Sequence, residues 1–89
     1  MRSIRYLGQF KKDFKHMEKR GNHRKKLQVV IQKLVNEEEL EARYKDHALQ
    51  GKYAGARDCH ISPDWILNYA IVGDELRLIR TGTHSDLFK

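Results

Sequence analysis

Three of the five histidines of this 89-residue chain stand in stretches dense with reactive residue types. They are His47 in Tyr44-Lys45-Asp46-His47, His60 in Cys59-His60-Ile61-Ser62-Pro63-Asp64-Trp65, and His84 in Arg80-Thr81-Gly82-Thr83-His84. An imidazole with an unperturbed pKa of about 6.5 can give or take a proton near neutrality. An arginine such as Arg80 offers a fixed fork of donors that matches phosphate oxygens. A carboxylate such as Asp64 can orient a histidine and keep it basic. Together they form the inventory for cutting RNA without a metal. A base takes the proton of the ribose 2′-OH so that this oxygen attacks the adjacent phosphorus. An acid protonates the departing 5′-oxygen, and a cation stabilises the charge that builds between them. His16 and His23 lie in a basic helical region and read as solvated surface residues.

The same residues have ordinary alternatives. Histidines of small domains are mostly surface or hydrogen-bonded structural groups, Arg80 could pair with Asp64 or Asp58, and the single tryptophan, Trp65, and Tyr69 in the same run would be core. His47, Cys59, His60, Asp64 and His84 are all zinc-ligand types, but no pair has the spacing of a zinc finger, a ribbon or an HExxH helix. No metal or other cofactor is expected, and no glycine loop of the phosphate-binding kind occurs.

The elements that must position these groups fit one small domain spanning residues 1–89, too short for two independent cores. No apolar run approaches the roughly 20 residues of a membrane span, and the N-terminus lacks the pattern of a secretory signal. The lone Cys59 can form no internal disulfide, so the chain reads as cytoplasmic. Its net charge is +6, from 18 Lys+Arg against 12 Asp+Glu. Asp13 and Glu18 are the only acids between Met1 and Lys33. Such a surface suits a polyanionic partner or an acidic protein, and charge alone does not separate the two.

Ser3 to Leu7 alternates polar and apolar residues as a short strand does. Phe10, Phe14 and Met17 recur at helical spacing, which predicts a helix from Gln9 to about Arg20, stopped by Gly21-Asn22. Leu27, Val30, Ile31 and Leu34 predict a second from Arg24 to Asn36. Glu37–Glu41 reads as an acidic loop, followed by strand runs at 56–61, 65–72 and 76–81 with a hairpin turn at Gly73-Asp74-Glu75. The near-apolar run 65–72 predicts a central strand covered by the helices. The expected fold is α+β, in the order β-α-α-β-β-β, with two N-terminal helices packed on a curved, mainly antiparallel sheet.

The stretches 44–51, 57–69 and 80–88 together resemble the YafQ family of type II toxin–antitoxin toxins, within the RelE/ParE superfamily, in the family's order and near its spacing. Before Tyr44 the likeness is looser, resting on Tyr6-Leu7-Gly8-Gln9-Phe10 and the lysine-rich helices. The resemblance implies a RelE-like fold and a toxin that cleaves mRNA in the ribosomal A site without a metal. It implies the ribosome, mRNA and a cognate DinJ-like antitoxin as partners, with operator DNA reached only through the antitoxin complex. It also implies roles for particular residues. His84 would be the general acid and His47 the base, His60 and Asp64 would orient RNA or share in proton transfer, and Arg80 would hold the scissile phosphate. Trp65 and Phe88 would shape the RNA site, with contact to a base as one way of doing so. RelE itself relies on lysines, arginine and tyrosine, so the histidine cluster favours the YafQ branch. The alternative is a ParE-like toxin that acts by binding DNA gyrase, a task for which a histidine trio with Arg80 has no use.

Overall fold

The structure, a computed structural model, describes residues 1–88. Strand β1 (Ser3–Tyr6) is followed by helices α1 (Gly8–Lys19) and α2 (Arg24–Val35), then strands β2 (His47–Ala48), β3 (Arg57–Ser62), β4 (Trp65–Val72) and β5 (Glu75–Gly82), and a short C-terminal helix α3 (His84–Leu87). The sheet order is β1-β5-β4-β3-β2. Only β1 and β5 run parallel, and every other neighbouring pair is antiparallel. The expected α+β order therefore holds, with β2 and α3 as additions.

Backbone hydrogen bonds explain where the helices stop. At the end of α1, Gly21 takes φ 92°, and the Gly21 and Asn22 N–H groups donate to the Glu18 and Met17 carbonyls. This is a Schellman closure, and the left-handed position suits a residue without a Cβ. The end of α2 closes in the same way, with Glu37 and Glu38 N–H donating to Leu34 and Lys33 carbonyls, but there the left-handed residue is Glu37, at φ 61°. Left-handed backbone costs an L side chain about 1–2 kcal/mol. Among the described residues the exposed Glu37 carboxylate meets only the amino terminus and Arg2, at 3.3 and 4.0 Å, and such pairs contribute little. Glu37→Gly is therefore expected to stabilise the domain by about 0.5–1 kcal/mol, read as a higher denaturant midpoint. An unchanged or lower midpoint would refute this account of the cap.

The helices bury Phe10, Met17, Leu27, Val30 and Leu34 against Cys59, Trp65, Leu67, Tyr69, Leu76 and Leu78 on one face of the sheet. Strand residues two apart share a face and residues paired across strands point the same way. His47, Asp58, His60, Ile66 and Asn68 consequently belong to the opposite face. Ile66 and Ala70 are buried outside the main cluster, so the central strand is covered on that side too. The β4–β5 hairpin turns at Gly73-Asp74, with Gly73 at φ 60° and Glu75 already in the strand.

An irregularity in β5 matters more for function. Asn68 pairs with Arg80 while Tyr69 pairs with Leu78, so Ile79 is an inserted residue. Without this bulge, Leu76, Leu78 and Arg80 would alternate onto the helical face. The extra residue reverses the phase, putting Thr81 on the core side opposite Leu67 and Arg80 on the far side opposite Asn68.

Candidate functional site

Rows of the sheet bring the sequence-predicted groups together. One row runs from Gly82 through Ile66 to His60, and the next from Arg80 through Asn68 and Asp58 to His47. At about 4.8 Å between strands, His47 and Arg80 stand roughly 14 Å apart at their Cα atoms, and the Arg80 guanidinium is drawn to Asp13 at the outer edge of β5. His84 follows two residues beyond the first row, at the start of α3. By register, His47, His60 and Arg80 therefore leave their strands on the face opposite the main core, with His84 at its rim, while the Arg80 guanidinium turns to Asp13 on α1.

His47 is exposed, and its Nδ1 lies 2.7 Å from the Lys45 carbonyl oxygen. A carbonyl cannot donate, so Nδ1 carries the hydrogen and the neutral ring keeps its lone pair on Nε2. The left-handed backbone of Lys45, φ 49°, belongs to this local geometry. The preceding residue, Asp46, anchors the segment. It accepts two bonds from Arg57, at 3.3 and 3.2 Å, and one from the buried Tyr69 hydroxyl. Burial and the Asp46 carboxylate hold the Tyr69 phenol well above its ordinary pKa, so it remains a donor.

Arg80 is half-buried and pairs with neither Asp64 nor Asp58. Its Nε and Nη2 donate to the Asp13 carboxylate of α1 at 2.9 and 3.0 Å. Asp13 also accepts from Gln9 and from the Thr81 N–H, which faces the edge of β5 beyond its pairing with β1. Burial pushes the Asp13 carboxyl up, but the bonds from Arg80, Gln9 and Thr81 outweigh it and hold the group below its ordinary value. A cavity of about 290 Å³ opens beside the pair and is also lined by Lys12 and His16. His16 and His23 are exposed, as expected.

At the rim, Thr83 and Asp86 form a reciprocal capping box that starts α3 at His84. Arg20 reaches Asp86 at 2.8 Å. This ion pair and the Thr83 N–H hold the Asp86 carboxyl well below its ordinary value. A carboxyl depressed in the folded chain adds stability that is present above the unfolded value and lost as pH falls through the folded one. Asp86 and Asp13 share that sign. The thermal midpoint is expected to fall between about pH 5 and pH 1, and more gently in Arg20→Gln. Equal acid slopes in the two proteins would remove Asp86 from the explanation.

His84 is exposed, and its ring centroid lies 5.1 Å from that of half-buried Phe88, which meets Tyr53 edge-on at 5.8 Å. Tyr53, from the 3₁₀ turn Gly51–Tyr53, is an aromatic that sequence reasoning left out, as it left out Asp13, Asp46 and Arg57. Asp46 and Arg57 lay inside the motif stretches and Tyr53 two residues past the one ending at Gly51, whereas Asp13 carried no signal.

Two expectations need correction. Trp65 is 1% exposed, and its indole N–H donates to Thr81 Oγ1 at 2.8 Å within the core. It cannot stack on a base, and can shape the face only from beneath. Asp64 is exposed in the turn between β3 and β4, where Arg20 feels its charge, and among the described residues it bonds to no histidine. A carboxylate-oriented histidine is thus missing from this arrangement. His60, half-buried, borders a separate groove with Tyr44 and Arg43. Cys59 is fully buried, and burial pushes its thiol far up, which suits an inert strand residue.

Comparison with known proteins agrees with the fold. The sequence model of the bacterial toxin of type II toxin–antitoxin systems, YafQ, matches residues 2–89. The mRNA interferase toxin YafQ of Escherichia coli K12 is 48% identical over 88 residues, covering 98% of this chain and 96% of the relative. The toxin in the E. coli DinJ–YafQ complex superposes with a TM-score of 0.92 at 47% identity, over 100% of both chains. A metal-bound toxin from Helicobacter pylori gives a TM-score of 0.92 at 40% identity, over 99% of this chain and 100% of that one.

Proposed function

The chain belongs to the YafQ family of type II toxin–antitoxin toxins, and on that premise we propose that it is a ribosome-dependent mRNA interferase working by acid–base catalysis. The observation that supports this most is the register by which His47, His60 and Arg80 leave neighbouring strands on one side of the sheet, close to His84.

His47 Nε2 takes the proton of the ribose 2′-OH, since Nδ1–H is held by the Lys45 carbonyl. The 2′-oxygen bonds to the adjacent phosphorus, and the bond to the 5′-oxygen breaks. His84, protonated beforehand, gives its proton to that leaving oxygen. The products are a 2′,3′-cyclic phosphate and a free 5′-hydroxyl. Arg80 donates to the non-bridging oxygens, where negative charge grows. His60 and Asp64 contact the RNA or assist proton transfer, and Phe88, with Tyr53 behind it, offers an aromatic surface to a base. No step calls for a metal.

Ion pairs on the helical hairpin involve Arg20, Arg24 and Lys33. Lys11, Lys12, Lys15, Lys19, Lys25 and Lys26 are exposed and, among the described residues, make no such pair. These lysines suit ribosomal RNA, with binding that weakens steeply as salt rises. In the cell, a cognate antitoxin of the DinJ kind holds the toxin inactive in the cytoplasm, and operator DNA is met only through that complex.

The test is primer extension on an mRNA incubated with purified toxin, with and without translating ribosomes and with EDTA. Cleavage only of translated message, unchanged by EDTA at a level that leaves the ribosomes intact, is expected. Equal cutting of naked RNA would overturn ribosome dependence. Loss of cutting with EDTA, reversed by adding back a transition metal, would overturn the metal-free mechanism. Growth arrest through DNA damage signalling with intact message would instead favour the gyrase-binding alternative.

A further inference from the structure

We infer that Asp13, on the first helix and outside every motif stretch, is a positioning residue that fixes which edge of the Arg80 guanidinium faces the scissile phosphate. The inference rests on the reading of Arg80 as the phosphate ligand. Asp13 engages the guanidinium side-on, through Nε at 2.9 Å and Nη2 at 3.0 Å. That leaves the Nη1–Nη2 edge open, and this edge can still grip two phosphate oxygens. An arginine without such a partner swings among many rotamers and loses that freedom on meeting RNA, which raises the cost of reaching the transition state.

The placement of Asp13 fits this role better than that of a surface ion pair. Its side chain is 10% exposed against 38% for Arg80, so the carboxylate is the fixed member and the guanidinium the presented one. The Gln9 amide holds Oδ1 at 3.0 Å, and the Thr81 N–H holds Oδ2 at 3.3 Å. Both carboxylate oxygens are thus tied down before Arg80 arrives. The Thr81 contact links helix and strand beside the bulge that turns Arg80 to the far face, so the bulge chooses the face and Asp13 the orientation.

A double-mutant cycle in the translated-mRNA assay tests this, using Asp13→Asn, Arg80→Gln and both together, with thermal midpoints measured for each. Asp13→Asn is expected to lower the maximal cleavage rate by at least about tenfold while the half-saturating ribosome concentration changes less than about threefold. In the Arg80→Gln background the same change should cost less than about threefold more. Wild-type cleavage by Asp13→Asn, or losses that multiply in the double variant, would overturn the inference with Arg80 still the phosphate ligand. Full activity of Arg80→Gln would instead overturn the reading on which it rests. Should Asp13→Asn fail to fold, the intact protein still decides. Its Arg80 side-chain N–H signals should be separate and slow to exchange in nuclear magnetic resonance spectra, and rapidly averaged signals would refute a fixed guanidinium.

Discussion

His84→Ala should lower the cleavage of translated mRNA by at least about tenfold, and by up to the hundredfold or more usual for a lost general acid, while leaving the fold almost untouched. The separation of the two effects follows from where His84 sits. It occupies the first position of α3 and is exposed, and the Thr83–Asp86 capping box that starts the helix does not involve its ring. Among the described residues its imidazole makes no hydrogen bond, and only the packing on Phe88 at 5.1 Å is lost. Alanine is a good helix former, so the stability change should stay within about 0.5 kcal/mol. Primer extension measures the first effect and thermal unfolding the second. Cleavage within threefold of wild type by a variant with an unchanged midpoint would take the general acid away from His84. Loss of activity together with a large fall in midpoint would show that the exposed ring has a structural task the geometry does not explain.

Arg80 allows no such separation, because its removal leaves Asp13 as a mostly buried carboxylate without its cation. An uncompensated group of that kind costs several kcal/mol or is protonated instead. This is why Arg80→Gln, which can still donate to the carboxylate, tests the role of Arg80 better than truncation.

Much of the scaffold was legible because local chemistry and periodicity agreed. Phe10, Phe14 and Met17 gave α1 to within a residue at each end, helped by the left-handed Gly21 that closes it. The β4 run lay at the sheet centre, as its apolar composition required. The parallel pairing of β1 with β5 was not legible, since it joins the two ends of the chain and no turn announces it. Two-residue β2 and four-residue α3 are too short for a periodic signal, although the Thr83-to-Asp86 spacing is a capping pattern.

The site divides in the same way. His47, His60, His84 and Arg80 stood out by residue type and motif, but the residues that hold His47 and Arg80 in the structure did not. Plain alternation through Leu76, Leu78 and Arg80 would send the arginine into the core, and nothing around Ile79 marks the bulge that prevents it. Asp13 lies 67 positions from Arg80, and Asp46 meets Tyr69 across the sheet. Contacts of that range are set by strand register and by how the helix packs on the sheet, which the one-dimensional pattern does not contain.

Trp65 shows the opposite error, in which resemblance suggested a role that periodicity argued against. Trp65, Leu67 and Tyr69 alternate onto the helical face, and all three are buried there. Trp65→Ala should therefore cost about 3–5 kcal/mol, most of the stability of a domain this small, and leave little folded protein at 37 °C, a loss visible as a collapsed unfolding transition. Trp65→Phe keeps a large apolar ring and removes chiefly the bond to Thr81 Oγ1, whose own hydroxyl still donates to the Ile66 carbonyl at 2.8 Å. Its cost should be about 1–2 kcal/mol, so the variant folds and can be assayed. If the indole acts only from beneath the sheet, folded Trp65→Phe should cleave translated mRNA within about threefold of wild type, the non-additive residue of a slightly loosened core. A tenfold loss with an intact fold would mean that the indole becomes accessible when RNA arrives. That outcome would require β4 to move, since 1% exposure leaves a base no path to the ring.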